Sequence, residues 1–332
     1  MVGASAGGVE ALRTVVGGLP DDLPAAVLVV LHVPADGGSA LAAVLGRDTD
    51  LDVAPATDGE VLAPGTVRVA PPDRHLLVVE DAGRLWVHLA PGPRVNGHRP
   101  AVDPLFRSAA EVAGPRVLAL VLSGSQDDGA AGLRRVRARH GLAVVQDPTD
   151  AAHPGMPRAA LEVAGADHVA PARDLARLLA SLAGHEVEVA APPVTSPLAR
   201  ALADLGPAPA DRADRTTPGT DCPDCGRPLT VHGDRHRCRA GHQWSTEALV
   251  TARSAAIESA LWTALRSLED KAALADRMTD AATGRGHPLS AGRFTAQAVD
   301  ARQAAGVLRD LLEGAPHTGT GSDGHGGRSP GG

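Results

Sequence analysis

M-V-G-A-S-A-G-G-V, residues Met1 to Val9, decides how the rest of the chain is organised. The stretch contains G-x-S-x-G, with Ser5 between two glycines and a helix-like run, Val9 to Val16, behind it. A serine on a sharp strand-to-helix turn needs glycines beside it, because a Cβ would collide with the cramped backbone. Such a turn brings the hydroxyl near a helix N-terminus, whose N–H groups stabilise an oxyanion. Turns of this kind also bind phosphates or only reverse the chain, so the motif alone does not decide between these roles.

Composition restricts the classes of protein to consider. The chain has 332 residues, 43% of them hydrophobic, which allows one sizeable α/β domain and a smaller module. No apolar run approaches the ~20 residues of a membrane span, and no signal peptide precedes the glycine turn, so we expect a cytoplasmic protein. A net charge of −7, only five Phe and Trp residues and no Tyr argue against nucleic-acid binding.

Residues 1–184 alternate strand-like apolar runs with helical patterns. This alternation predicts an α/β domain with a doubly wound, mostly parallel sheet and helices on both faces. Between residues 51 and 100 the runs are short and are separated by Gly, Pro and Asp, so we predict an antiparallel insertion there. The predicted insertion strands are Val67–Ala70, Leu76–Glu80 and Leu85–Leu89, the buried strands include Ala25–His32 and Arg116–Ser123, and a helix spans Val102–Ala113.

The remaining sequence divides into four segments. Residues 185–216 are rich in Pro and Ala and are predicted to be a linker, and residues 217–246 carry all three cysteines. Residues 247–313 are predicted to form a helical hairpin, and residues 314–332 are low-complexity and are expected to be disordered. The apolar face of the first hairpin helix is formed by residues spaced three or four apart: Ile257, Leu261, Leu265, Leu268 and Ala272.

The cysteine segment reads Cys222-x2-Cys225-x12-Cys238-x3-His242. This ligand number and spacing predict a tetrahedral structural zinc site within a zinc-ribbon-like module. His232 and His236 are alternatives to His242 as the fourth ligand. Four protein ligands leave no open position, so we expect a structural metal and no cofactor for catalysis.

Three polar side chains end predicted strands or turns at one edge of the parallel sheet: Ser5, His32 and Asp128. A serine becomes nucleophilic when a histidine takes its proton and an acid fixes the imidazole tautomer. The same residues have simpler interpretations, because a strand-end histidine is often only solvated and Asp128 or Asp127 could cap the helix that follows. A short-chain dehydrogenase is excluded since no Tyr-x-x-x-Lys exists, and a P-loop is excluded since no G-K-[ST] exists.

The first 184 positions, which include these three residues, resemble the catalytic domain of the CheB protein-glutamate methylesterases. The resemblance rests on several motifs in order along the chain: V-G-A-S-A-G-G, L-H-V-P, P-x-D-R-H-L from Pro71, N-G-H-R-P-A-V-D-P-L-F-R-S-A-A from Asn96, S-G-S-Q-D-D-G-A-A-G and Q-D-P-T-D-A-A-H-P-G-M-P-R-A-A. It implies that Ser5 is the nucleophile, His32 the general base and Asp128 the orienting acid. It also implies substrate contacts by four further residues, Ala6, His98, Arg99 and Ser125, although Arg99 equally fits a surface salt bridge.

The sequence departs from the family pattern in three respects. Ser125 and Gln126 replace the Met-Gly of the family's G-M-G, which puts the geometry of the oxyanion hole in question. Only two residues precede Gly3, so either the start lies upstream or the first strand is too short to anchor Ser5 firmly. No residues are present for the receiver domain that often precedes the family's catalytic domain, so we expect no aspartyl-phosphate regulation within this chain.

The resemblance implies hydrolysis of glutamate methyl esters on a chemoreceptor or receptor-like signalling protein, with deamidation of receptor glutamines as a related reaction. A separate receiver or kinase protein is a further expected partner. The cysteine module and hairpin resemble tails on some stand-alone CheB-like proteins, and we expect them to dock proteins. The alternative is a non-catalytic signalling adaptor that uses the esterase fold and ribbon as docking surfaces. The altered S-G-S-Q turn and the truncated first strand favour the adaptor, and the presence of all three triad residues favours the enzyme.

Overall fold

The computed structural model of the protein describes residues 1–34, 40–187, 216–233 and 235–314. Most of the predicted linker and of the predicted tail therefore lies outside the described residues. The chain divides into two compact units, Met1–Ala252 and Arg253–Gly332. Within the described ranges, no helix combines the length and the apolar character that crossing a bilayer requires.

A seven-stranded, fully parallel sheet forms the centre of the first unit. Its strands are β1 (Val2–Ala4), β2 (Val27–Leu31), β3 (Asp52–Pro55), β4 (Thr66–Val69), β7 (Leu118–Val121), β8 (Leu142–Gln146) and β9 (His168–Ala170), and β5 (His75–Asp81) pairs with β6 (Arg84–Ala90) in a separate antiparallel hairpin. The order across the sheet is β3-β4-β2-β1-β7-β8-β9. The direction of winding therefore reverses between β1 and β7, and such a reversal opens a crevice at the carboxyl ends of the strands.

Helices cover both faces of this sheet, which confirms the predicted doubly wound architecture. One face packs against α1 (Gly8–Gly17), α2 (Leu41–Leu45) and α6 (Ala172–Ala183), and the other against α3 (Val102–Ala113), α4 (Ala130–Ala138) and α5 (Gly155–Val163). The predicted antiparallel insertion is the hairpin β5–β6, which packs on α3.

One predicted insertion strand was wrong. Val67–Ala70 was expected to be antiparallel, but Val67 to Val69 lie in β4, a parallel strand between β2 and β3. The four residues are all buried. A short run that is buried on both faces is typical of a parallel sheet, and its brevity and flanking turns had concealed this.

The first strand is short but central. Val2 pairs with Val29 of β2 on one side and with Leu120 of β7 on the other. All three residues of β1 are buried. Ser5 therefore follows a strand that is hydrogen-bonded along both of its edges.

The cysteine segment folds as a small antiparallel sheet against the same unit. Its strands are β10 (Thr216–Asp221), β11 (Pro228–His232), β12 (Arg235–Cys238) and β13 (Gln243–Trp244), and α7 (Thr246–Gly284) follows directly. Its core contains Cys222, Leu229, Cys238, Trp244, Ala248 and Leu249. We refer to residues 216–244 below as the ribbon.

The second unit contains most of α7 and α8 (Pro288–Gly314). Leu265, Ala305 and Leu312 are buried between them, with Leu261 and Leu268 packed alongside. Ile257, predicted to belong to this face, is 62% exposed, which is a correction to the sequence analysis. The ion pairs Arg302–Asp276 and Arg309–Glu269 set the antiparallel register of the two helices, and in this register the described part of α8 ends before it reaches Ile257.

Candidate active site

Three side chains from neighbouring strands form a hydrogen-bonded chain at the carboxyl edge of the sheet. Ser5 follows β1, His32 follows β2, and Asp128 follows β7. The Ser5 Oγ lies 3.0 Å from His32 Nδ1, and His32 Nε2 lies 2.8 Å from Asp128 Oδ2. Asp128 fixes the imidazole proton on Nε2, which leaves the Nδ1 lone pair facing the serine hydroxyl. This arrangement can remove the serine proton as the hydroxyl attacks a carbonyl.

The turn that carries Ser5 is cramped. Gly7 has a φ of +67°, and a Cβ at this position would lie 2.8 Å from the Ala152 Cβ. The Ser5 N–H donates to the Ser123 carbonyl at 2.9 Å, and Ser123 Oγ donates to the Ala6 carbonyl at 2.8 Å. The second glycine of the motif and Ser123 together hold the nucleophile turn against the end of β7.

The S-G-S-Q turn passes directly beside Ser5. A Cβ on Gly124 would lie 2.1 Å from Met156 Sδ and 3.0 Å from Ser5 Cβ, so only glycine fits there. Gln126 has a φ of +65°. The chain therefore adopts a left-handed conformation at the position of the family's second glycine, at a cost of roughly 1–2 kcal/mol for a residue with a side chain. Ser125 is exposed.

Asp128 does not cap the helix that follows it. The N-cap of α4 is Gly129, whereas the Asp128 carboxylate accepts the Val102 N–H at 2.6 Å and the Asp103 N–H at 3.2 Å. These are the first two amides of α3, and a helix N-terminus favours a negative charge. Burial opposes ionisation, but the hydrogen bond and charge of His32, together with the Val102 N–H, hold the pKa of Asp128 well below its usual range. Asp128 is therefore a carboxylate at neutral pH.

A second histidine stacks on the first. The rings of His32 and His98 are 3.7 Å apart between centroids and inclined by 7°. Burial, and then the charge of His32, lower the pKa of His98 to about 4. A neutral His98 at physiological pH restricts rotation of the His32 ring without repelling a proton that His32 has taken up.

A cavity of about 370 Å³ opens at the serine. Half of its lining comes from one segment, which we call loop 94–99, and the complete lining is Ser5, His32, Val33, Pro34, Arg94, Gly97, His98 and Arg99. Arg99 forms an ion pair with Asp73, with 3.0 Å between Nε and Oδ1. The structure thus brings His98 and Arg99 to the serine, while Ala6 and Ser125 do not line this cavity.

Sequence reasoning assigned no role to two residues that organise the site. Ser123 links the nucleophile turn to residue 153, whose N–H donates to Ser123 Oγ at 3.0 Å. Asn96 is buried and its Nδ2 donates to Asp128 Oδ1 at 3.3 Å. Both residues stood in segments quoted for the resemblance, but only the folded structure shows what their side chains contact.

Four ribbon side chains could hold a metal ion: Cys222, Cys225, Cys238 and His242. Their ligand atoms all lie within 4.8 Å of one another. The Cys225–Cys238 sulfurs are 3.6 Å apart, and His242 Nδ1 is 3.6 Å from Cys222 Sγ and 3.5 Å from Cys238 Sγ. Tetrahedral zinc with two such ligand types has edges of roughly 3.6–3.8 Å, so the donor set fits. His232 and His236 contact Thr230 and Thr246 instead.

We expect Asp127 to make the stability of the first unit depend on pH. Burial raises the pKa of Asp127 to about 6, against the opposing hydrogen bond from Ser245. Between about pH 4 and pH 6 the folded state holds a proton that the unfolded chain releases, so stability falls as pH rises through this window. Asp127→Asn should remove this loss, and the variant should exceed the wild type by roughly 1–2 kcal/mol above pH 7.

Thermal unfolding from pH 4 to pH 8 measures this difference. The matched control is Asp147→Asn, since the N–H of Thr149 lowers the pKa of the Asp147 carboxyl. That variant should lose stability relative to the wild type as pH rises. A stability difference for Asp127→Asn that does not change with pH would contradict the assignment.

Comparison with known proteins links this geometry to one family. Residues 1–179 match the family model described as CheB methylesterase. Relatives from Xanthomonas euvesicatoria and Burkholderia pseudomallei, both named protein-glutamate methylesterase/protein-glutamine glutaminase 1, are each 41% identical, over 54% and 55% of this chain and 50% of their own. The crystal structure of the Thermotoga maritima CheB methylesterase catalytic domain is 34% identical with a TM-score of 0.53, covering 55% of this chain and 96% of that chain. The chain spans about half the length of the curated relatives it matches.

Proposed function

The chain belongs to the CheB methylesterase family, and we propose that it hydrolyses methyl esters of glutamate side chains on a chemoreceptor-like signalling protein. The observation that carries this proposal is the hydrogen-bonded chain Ser5–His32–Asp128 at the mouth of a cavity. The names of the relatives support the substrate class. Those names also include glutamine deamidation, which uses the same acyl-enzyme chemistry and forms part of the proposal.

In the proposed reaction Ser5 Oγ attacks the ester carbonyl while His32 Nδ1 accepts its proton. The tetrahedral intermediate collapses to an acyl-serine when His32 returns that proton to the departing methoxide, which leaves as methanol. Water then attacks the acyl-serine with His32 again acting as base, and a glutamate carboxylate is released. Asp128 keeps the imidazole tautomer fixed and stabilises the imidazolium in both steps.

We place the oxyanion near the backbone N–H groups of Ala6 and Ser125. Ala6 follows Ser5 and lies two residues before α1, and Ser125 belongs to the turn whose Gly124 lies against the Ser5 side chain. A backbone donor is retained when a side chain changes, so the Ser-Gln replacement is compatible with this role. Arg94 and Arg99 line the same cavity and are each ion-paired, with Asp224 and Asp73, so we expect them to contact an acidic segment of the substrate by sharing these guanidinium groups.

Methanol release is the direct test. We expect the zinc-loaded protein to release methanol from a receptor fragment that carries γ-glutamyl methyl esters, and none from the same fragment with free glutamates. A fluorophosphonate should label Ser5, as identified by peptide mass spectrometry. If the protein neither releases methanol nor is labelled at Ser5, the esterase proposal is overturned. That result would favour the adaptor, which would still bind the fragment.

We also propose that the ribbon binds one structural Zn²⁺ through Cys222, Cys225, Cys238 and His242. The ion would cross-link the two turns of a segment too small to fold on its core alone. Metal analysis should find about one zinc per chain. Cys225→Ser should lose most of it, whereas Arg239→Gln, an exposed change in the same ribbon, should retain it. Full occupancy in Cys225→Ser would contradict the ligand set.

Other expectations from the sequence stay predictions. These are a separate receiver or kinase protein as partner, a cytoplasmic location, and a protein-docking role for the helical hairpin.

A further inference from the structure

The ribbon contacts the active site through Asn96. Ser245, one residue beyond the ribbon, donates its N–H to Asn96 Oδ1 at 2.9 Å, and Arg235 Nη1 donates to the same oxygen at 3.4 Å. The amide nitrogen of Asn96 in turn donates to Asp128 Oδ1 at 3.3 Å. A single buried side chain therefore joins the cysteine module to the carboxylate that orients His32.

The backbone of the ribbon forms hydrogen bonds with the backbone of loop 94–99. The Asn96 N–H donates to the Gln243 carbonyl at 2.7 Å, and the Gln243 N–H donates to the Arg94 carbonyl at 3.2 Å. Trp244 packs over Gly97, where a Cβ would lie 3.1 Å from the ring. The loop that supplies Arg94, Gly97 and His98 to the serine cavity is thus held in place by β13.

A buried ion pair connects β12 of the ribbon to α3. The Arg235 guanidinium lies against Asp103, which is fully buried, and Arg235 itself is 9% exposed. Asp103 also accepts the Gly132 N–H at 2.6 Å, and its own N–H donates to Asp128. Asp103 also pairs with Arg107 at 3.3 Å, so loss of Arg235 would leave a buried carboxylate with one charged donor fewer, and the contact favours the docked ribbon.

The candidate metal ligands lie beside these contacts. Cys238 is three residues after Arg235, and His242 directly precedes Gln243. A metal ion bound by both residues would fix the turn between β12 and β13 and so set the positions of Arg235, Gln243 and Ser245.

We infer that the metal-bound ribbon is a positioning element of the active site, which holds Asp128 and loop 94–99 in their working geometry through Asn96. Asn96 and Arg235 are positioning residues, since neither lines the serine cavity. The inference rests on the proposed esterase function. It predicts that the rate of ester hydrolysis depends on a metal ion bound in a module outside the family match at residues 1–179.

The test compares the zinc-loaded full chain, the chelator-treated chain and three variants that retain all four ligands. Arg235→Gln removes the anchor, and Arg239→Gln is the matched exposed control. Asn96→Gly removes the bridging amide at a residue whose φ of +51° suits glycine, without altering the ribbon. The measurements are zinc content, kcat and KM for ester hydrolysis, and hydrogen exchange of the amides at Asn96, Val102 and Asp103.

We expect metal removal, Arg235→Gln and Asn96→Gly each to lower kcat about 10- to 100-fold and to change KM less than about threefold, because misplacement of a catalytic group acts on the chemical step. Metal removal and Arg235→Gln should also speed amide exchange at Asn96, Val102 and Asp103 about tenfold or more, whereas Arg239→Gln should match the wild type. Restoring Zn²⁺ should reverse the effect of the chelator.

Unchanged kcat and unchanged exchange without metal would overturn the inference. A higher rate without metal would also overturn it, since the ribbon would then obstruct the site. If zinc-loaded wild type neither hydrolyses ester nor labels at Ser5, the proposed function fails, and amide exchange still decides whether metal binding orders loop 94–99.

Discussion

Replacing Ser5 with alanine is expected to reduce methanol release by about 10⁴- to 10⁶-fold, the range seen when a triad nucleophile is lost. The alanine has no hydroxyl to form the acyl intermediate, while His32, Asp128 and the cavity stay in place. The remaining rate would come from the oxyanion donors and from substrate binding alone. KM should change little, since the serine side chain is a small part of the cavity lining.

The measurement is methanol release under single-turnover conditions, with Ser181→Ala as control. Ser181 is an exposed serine on α6, so this control makes the same chemical change away from the cavity. Hydrolysis by Ser5→Ala at a rate near that of the wild type would show that another group is the nucleophile.

Asp128→Asn is expected to lower kcat by about 10⁴-fold, as for the corresponding change in other serine triads. The carboxylate accepts four hydrogen bonds, all from N–H donors: His32 Nε2, the Val102 and Asp103 amides, and Asn96 Nδ2. An asparagine offers one oxygen and one NH₂ group, so at least one donor must face another donor. If that donor is His32, the imidazole proton moves to Nδ1 and the ring can no longer accept the serine proton.

The same substitution should lower the free energy of unfolding by roughly 1–3 kcal/mol, since a buried donor loses its acceptor. Nitrogen NMR of His32 reports the tautomer, and kcat reports its consequence. Asp174→Asn, on the surface at the first turn of α6, is the control. Full activity together with an unchanged His32 tautomer would show that Asp128 does not orient the base.

The sequence predicted those features that depend on neighbouring residues along the chain. Alternation of apolar runs predicted a parallel sheet with two helical faces, and this was confirmed by the strand order. Once the sheet is known, the ends of adjacent strands must meet, so Ser5, His32 and Asp128 could be named together. The run Val67–Ala70 was misassigned because a four-residue run, here with Arg68 among apolar residues, does not distinguish a parallel strand from an antiparallel one.

Contacts between distant segments could not be predicted in this way. Nothing in the local pattern around Asn96 or Asp103 indicates that Arg235 binds Asp103 from 132 positions later, or that Ser245 binds Asn96 from 149 positions later. The role of Asp128 as acceptor for the first amides of α3 was also hidden, because an acid before a helix ordinarily caps that helix. These features depend on how separately formed elements pack, which periodicity does not encode.

The long separation between Asn96 and its ribbon partners also sets an order of events during synthesis. The parallel sheet that carries Ser5, His32 and Asp128 is complete once residue 170 has been made, yet Ser245 is translated 75 residues later. At about 5–20 residues per second, that interval lasts roughly 4–15 s. During it the nascent chain has its triad residues but lacks the partners of the Asn96 side-chain oxygen, so loop 94–99 reaches its final form only after the ribbon has left the ribosome.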